Sequence, residues 1–110
     1  MADWREGEVR HEVRTRARNE WIEQANDAFG ANQTSDGYAC ECGDRNCTSV
    51  LMLTREEYEA VRTDGTRFAI ALDHENPEID RVVSEHRRYA VVENVQEQPR
   101  RMARDTNPRR

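Results

Sequence analysis

Apolar and polar positions alternate along this chain with periods that change several times. From about Arg14 to Phe29 there is no Gly or Pro. Trp21, Ile22, Ala25, Ala28 and Phe29 recur at helical spacing, which predicts a helix with one apolar face ended by Gly30. Residues 31–37 read as a loop. Tyr38–Cys42 and Val50–Leu53 read as two short strands, separated by a Gly43-Asp44-Arg45-Asn46 turn. Thr54-Arg55-Glu56-Glu57 is a capping box opening a helix of about ten residues with Tyr58 and Val61 inward, and Asp64-Gly65 ends it.

Phe68, Ile70 and Leu72 alternate along a third strand, Arg67–Leu72. Asn76 then caps, and Pro77 starts, a predicted helix in which Ile79, Val82, Val83 and His86 fall at i, i+3, i+4 and i+7. Tyr89–Val95 completes the set as a fourth strand. The fold class expected is therefore α+β: a small sheet of about four short strands covered by about three helices, with a knuckle between strands. Residues 1–13 are read as a flexible or helix-extending segment. Residues 14–95 are read as one domain, and residues 96–110 as a disordered Arg-rich tail, because they hold two of the three prolines and almost nothing apolar.

Charge sharpens this division. The chain of 110 residues carries a formal net charge of −5, of which residues 19–95 contribute −9 and residues 96–110 contribute +3. An acidic body argues against a duplex-DNA reader, which needs a basic face. Arg100, Arg101, Arg104, Arg109 and Arg110 make nucleic acid a conceivable partner for the tail, but the tail has no aromatic residues for stacking, so a solvated end is favoured. There is no apolar h-region at the start and no apolar run near membrane-spanning length, so a soluble cytoplasmic protein is expected.

Hydrophobic residues make up 35% of the chain and charged residues another 35%, a thin core for so small a domain. Such domains recruit a metal or a disulfide, and cytoplasmic thiols stay reduced. Cys40-Glu41-Cys42-Gly43-Asp44-Arg45-Asn46-Cys47 spaces three cysteines as C-x-C-x4-C. Cys40 and Cys42 share a face of a strand, and the following turn can return Cys47 to meet them, with Gly43 supplying freedom to the knuckle. Three thiolates and one imidazole form a closed tetrahedral zinc site. His74, in the loop after the third strand, is the preferred fourth ligand, with Asp73 or Glu75 to orient its ring. His86 competes from an apolar stripe, and His11 is the weakest candidate. Small buried cysteines, a thiol redox switch and an iron–sulfur cluster are the alternatives to zinc.

These residues, with Arg18-Asn19-Glu20-Trp21, Leu53-Thr54, Glu57-Tyr58, Val61-Arg62, Arg67-Phe68, His74-Glu75 and Val82-Val83, resemble a group of small, chiefly actinobacterial proteins over about residues 18–95. That group has no established activity. The resemblance implies only that the cysteine cluster and His74 belong to one recurring pattern. No phosphate-binding glycine loop, H-E-x-x-H or nucleophile elbow is present. The expected function is a non-catalytic, zinc-stabilised protein-interaction or regulatory module. The alternatives are a thiol/zinc redox sensor, or a nucleic-acid-associated accessory protein using the Arg tail. A zinc enzyme ranks last.

Overall fold

The computed structural model describes residues 4–28 and 36–109, with backbone only at 26–28 and 36. The elements run α1 (Trp4–Ala28), β1 (Asp36–Ala39), β2 (Val50–Leu53), α2 (Arg55–Val61), β3 (Arg67–Ile70), β4 (Asp80–Glu85), β5 (Ala90–Asn94) and α3 (Glu97–Asp105). The α+β class holds, with three helices and five strands among the described residues. β1 and β2 form an antiparallel pair, and β3-β5-β4 form an antiparallel three-stranded sheet. Just past β1, Glu41 N–H donates to Ala69 C=O at 2.8 Å. The two sheets remain separate ladders, and this bond brings the end of the β1–β2 hairpin against β3. Tyr38, Leu51, Leu53, Tyr58, Phe68, Ile70 and Val92 fill the core, and the Tyr38 and Tyr58 rings stack with centroids 4.4 Å apart.

The capping box is present as read: Glu57 N–H donates to Thr54 Oγ1 at 3.0 Å, and Thr54 N–H to Glu57 Oε1 at 2.8 Å. Three other expectations fail. First, Trp21 is not on the packed face of α1; it is 68% exposed. The buried positions are Val9, Glu12, Thr15, Arg16, Asn19, Glu20 and Glu23, spaced at three and four like any core-facing stripe but almost wholly polar. Phe29, Gly30 and the loop at 31–35 lie outside the described residues.

Second, residues 77–86 are not a helix. Asn76 does cap, its Oδ1 accepting from Glu78 N–H at 3.1 Å, but only one turn follows before β4 begins at Asp80. β4 pairs with β5 and shifts register between Val82 and Ser84. That bulge produces the i, i+3, i+4 spacing that imitates a helix. His86 accordingly sits outside the core, exposed and stacked on Tyr89 with centroids 4.4 Å apart.

Third, residues 97–105 are helical rather than disordered. Pro99 and Ala103 of α3 are buried, and the fully buried Arg16 of α1 donates to Ala103 C=O at 2.8 Å and to Gly65 C=O at 2.7 Å. A cation is thus set against the last carbonyls of α3, where the helix dipole favours it. Burial, opposed only partly by nearby carboxylates, lowers the Arg16 pKa to about 10, so the guanidinium stays charged at neutral pH. The tail arginines are engaged as well. Arg100 bonds Glu93 at 2.9 Å, Arg104 pairs with Glu97 at 3.4 Å, and Arg109 reaches Glu20 at 2.8 Å, Glu23 at 3.0 Å and Glu59. Arg101 is the one tail cation without an ion pair among the described residues.

Where α1 crosses the three-stranded sheet, Glu12, Asp80 and Asn94 are buried together. Asn94 Nδ2 donates to Asp80 Oδ1 at 2.8 Å and to Glu12 Oε1 at 3.3 Å. Burial foremost, then the hydrogen bond and charge of Asp80, push the Glu12 carboxyl well above the usual range. Asp80 is raised by burial too. The folded state therefore holds a proton that the unfolded chain releases at lower pH. This stability is full below the ordinary carboxylate pKa and is lost as pH rises toward the folded value. Melting temperature should fall as pH is raised through that window, and Glu12→Gln should flatten the fall while stabilising the protein at pH 8. A melt that is equally pH-dependent in Glu12→Gln would refute the assignment.

Candidate metal centre

The three cysteines lie on the hairpin between β1 and β2. Ala39 stands opposite Val50, and Cys40 N–H donates to Ser49 C=O at 3.0 Å. Continuing that register places Cys42 across from Cys47. The turn between them is closed by Cys47 N–H to Asp44 C=O at 3.1 Å and by Asn46 N–H to Asp44 Oδ1 at 2.8 Å. Gly43 is required here by close packing: a Cβ would lie 2.8 Å from Glu8 Cβ of α1.

His74 arrives from the other sheet. Its N–H closes a turn onto Ala71 C=O at 3.1 Å, and Asp73 inside that turn has φ 66°, in the left-handed region. Nδ1 of His74 then lies 3.6 Å from Cys40 Sγ and 3.5 Å from Cys47 Sγ. The ligand atoms of Cys40, Cys42, Cys47 and His74 all fall within 4.8 Å of one another. A tetrahedral ion with ~2.3 Å bonds to sulfur and ~2.0–2.1 Å bonds to nitrogen sets S···N edges of about 3.6 Å. The cluster can therefore hold a metal ion.

Backbone amides tune the sulfurs. Ala71 N–H donates to Cys40 Sγ at 3.1 Å. The hydrogen bond from Cys42 lowers the Cys40 pKa, and the same contact, followed by burial, raises that of Cys42. Cys40 and Cys42 are buried at 5% and 3% exposure, Cys47 is half-buried and His74 is exposed. The centre is thus a lip, with two donors rooted in the core and two at the rim.

Asp73 and Glu75 do not bond the His74 ring; the main-chain turn sets it instead. A β-branched residue at φ 66° costs roughly 1–2 kcal/mol. Asp73→Val should therefore lower stability by about that amount in denaturant melts, while Asp73→Gly should be neutral or better. Equal stability of the two variants would sink this account of the turn. Neither other histidine joins the cluster. His11 is half-buried on α1, its pKa lowered by burial and then by Arg14 and Arg45. His86 Nε2 lies 3.1 Å from Ser84 Oγ.

The residues that position the cysteine strand are not evident from spacing. Glu41, between Cys40 and Cys42, is fully buried. Its Oε2 accepts from Asn19 Nδ2 at 2.8 Å and from Tyr58 Oη at 2.9 Å, and its Oε1 accepts from Ala69 N–H at 2.9 Å. Asn19 of α1 also exchanges bonds with Ala39, donating to its C=O at 2.9 Å and accepting from its N–H at 2.8 Å. The carboxylate and the amide side chain each stand in for a missing strand neighbour. Strand alternation could have flagged Glu41, since a residue between two thiols that share one face must point to the opposite face; nothing local marks Asn19.

No family model, curated protein or solved structure was found to match this chain. These comparisons support neither a family nor a bacterial origin; of the recurring pattern, Cys40, Cys42, Cys47 and His74 are gathered in space.

Proposed function

We propose that this protein is a non-catalytic, zinc-stabilised protein-interaction or regulatory module in which Cys40, Cys42, Cys47 and His74 bind one zinc ion. The supporting observation is the mutual approach of the four ligand atoms within 4.8 Å, with S···N separations of 3.5 and 3.6 Å. Three soft thiolates favour zinc over magnesium or calcium. Four protein ligands leave no coordination position for a reactive water, which argues for a structural ion. Free thiols suit the reducing cytoplasm, and no described helix is long and apolar enough to cross a membrane.

Protein purified under reducing conditions should contain about one zinc per chain. His74→Ala should weaken zinc binding in a chelator competition, while His86→Ala should leave metal content intact. Metal-free protein, or a His74→Ala variant with unchanged affinity, would overturn the ligand set. The second reading, a redox sensor, draws support from the accessible rim at Cys47 and His74. It requires zinc release at low peroxide dose, which a purely structural site would resist.

A further inference from the structure

β2 and β4 are edge strands, one in each sheet, and they are built differently. β4 is defended in the usual way, by Arg81, Glu85 and a register shift near Val83. β2 is Val50-Leu51-Met52-Leu53, with no charge, proline or bulge.

The phase of the β1–β2 ladder identifies its free main-chain groups. The bond from Cys40 N–H to Ser49 C=O makes Ala39/Val50, and hence Gly37/Met52, pairs that do not bond each other. Asn19 agrees with this phase, because it occupies the N–H and C=O of Ala39 that point away from β2. The N–H and C=O of Val50 and Met52 must therefore point outward from the sheet, and no described group bonds them. These two residues are 64% and 47% exposed.

Cations flank this edge. Beside the metal centre, a groove is lined by Arg18, Ile22, Cys47 and Val50. At the other end, a hollow is lined by Met52, Glu57, His86, Arg87 and Arg88, with the Glu57 carboxylate held by Thr54 N–H at 2.8 Å. Val50 and Met52 share one face of β2, so the two depressions belong to one surface. Arg18, Arg87 and Arg88 make no ion pair among the described residues, whereas Arg62, Arg67, Arg100 and Arg109 all do.

We infer that β2 is a docking edge for an extended segment of a partner protein, apolar at its centre and carrying carboxylates at both ends. This names the partner class for the interaction module proposed above and rests on that reading. The segment adds as a strand: Val50 and Met52 supply main-chain bonds, their side chains supply apolar contact, and Arg18 and Arg87/Arg88 pair with the acidic flanks. A second copy fits poorly. Antiparallel self-pairing of β2 about a two-fold axis brings the Arg18 end of one copy to the Arg87/Arg88 end of the other. Single-stranded nucleic acid matches the cations but has no use for two outward N–H and C=O pairs.

The test is display selection of random peptides on the full-length, zinc-loaded chain, followed by fluorescence-polarisation titration of the enriched peptides. Selection should return alternating apolar sequences with Asp or Glu flanks, binding more weakly as salt rises. Affinity should fall at least ~10-fold in Met52→Pro and in the double variant Arg87→Glu, Arg88→Glu. Met52→Pro removes an outward N–H that β1 does not use, so it should keep its zinc and its melt, whereas Leu51→Pro should not. The charge variant leaves the backbone untouched and serves if Met52→Pro misfolds. The inference is overturned by failure to enrich any peptide, by enrichment without acidic flanks, or by affinity indifferent to both variants. A dimer abolished by Met52→Pro would overturn it in favour of a second copy, and tighter binding of a single-stranded oligonucleotide in favour of nucleic acid. Zinc content is measured on the same samples. Peptide binding by metal-free wild type sinks the role of zinc but not the docking edge.

Discussion

Chelating the proposed zinc ion at neutral pH should abolish cooperative thermal unfolding, and Cys42→Ser should do the same. The hairpin carrying Cys40, Cys42 and Cys47 meets β3 chiefly around Glu41 and Ala69, and His74 is the side chain that ties the sulfurs to the second sheet. Zinc binding in small finger domains is worth ~10–16 kcal/mol and is largely folding free energy. The whole stability of an ordinary domain is ~5–15 kcal/mol. Loss of the ion should therefore dominate every other change considered for this protein. Circular-dichroism melts before and after verified zinc removal would decide the matter; superimposable curves would mean that the cluster does not hold the fold.

The largest effect expected away from the sulfurs is at Glu41. Truncation to alanine leaves Asn19 Nδ2, Tyr58 Oη and Ala69 N–H without their acceptor in a fully buried site. A buried donor left without its acceptor costs roughly 1–3 kcal/mol, and three are left here. Glu41→Gln should cost less, since one amide oxygen can still accept, but its NH2 must face existing donors. Because Glu41 lies between two proposed ligands, Glu41→Ala should also weaken zinc binding with Cys40, Cys42 and Cys47 intact. Denaturant midpoints give the first quantity and chelator competition the second. A Glu41→Ala variant within about 0.5 kcal/mol of wild type would show that the network carries no weight.

Local chemistry made some of this structure legible and hid the rest. The capping box was readable because both partners lie within four residues, and the cysteine cluster because C-x-C followed by a turn folds back on itself. The packed face of α1 was not: its period of three and four is regular, but Glu12, Arg16, Asn19 and Glu23 fill it, and a hydrophobic pattern cannot register a polar stripe whose partners lie far away in the chain. The same long reach hid α3. Gln96 offers that helix no side-chain cap, and the guanidinium at its far end comes from Arg16, 87 positions before Ala103. At 76–86 a real cap and a bulged strand together imitated a helix, and only the vacant side of β5 decided otherwise. The same limit applies to the centre: the approach of His74 depends on the pairing of Glu41 with Ala69, which local spacing does not encode.

That pairing also sets the order in which the molecule can come apart. Between β1 and β3 the main chain is joined at Glu41 and Ala69, where each N–H is held by the other residue, one by a carbonyl and one by a carboxylate. In native-state hydrogen exchange these two amides should behave as a latch. While the hairpin is anchored they exchange at the rate of global unfolding. Once the anchor is released they should exchange early, while the amides of β5, central in its sheet, remain slow. Unfolding would then pass through a species with an intact three-stranded sheet and a swinging hairpin, and a single melting temperature would no longer describe the protein.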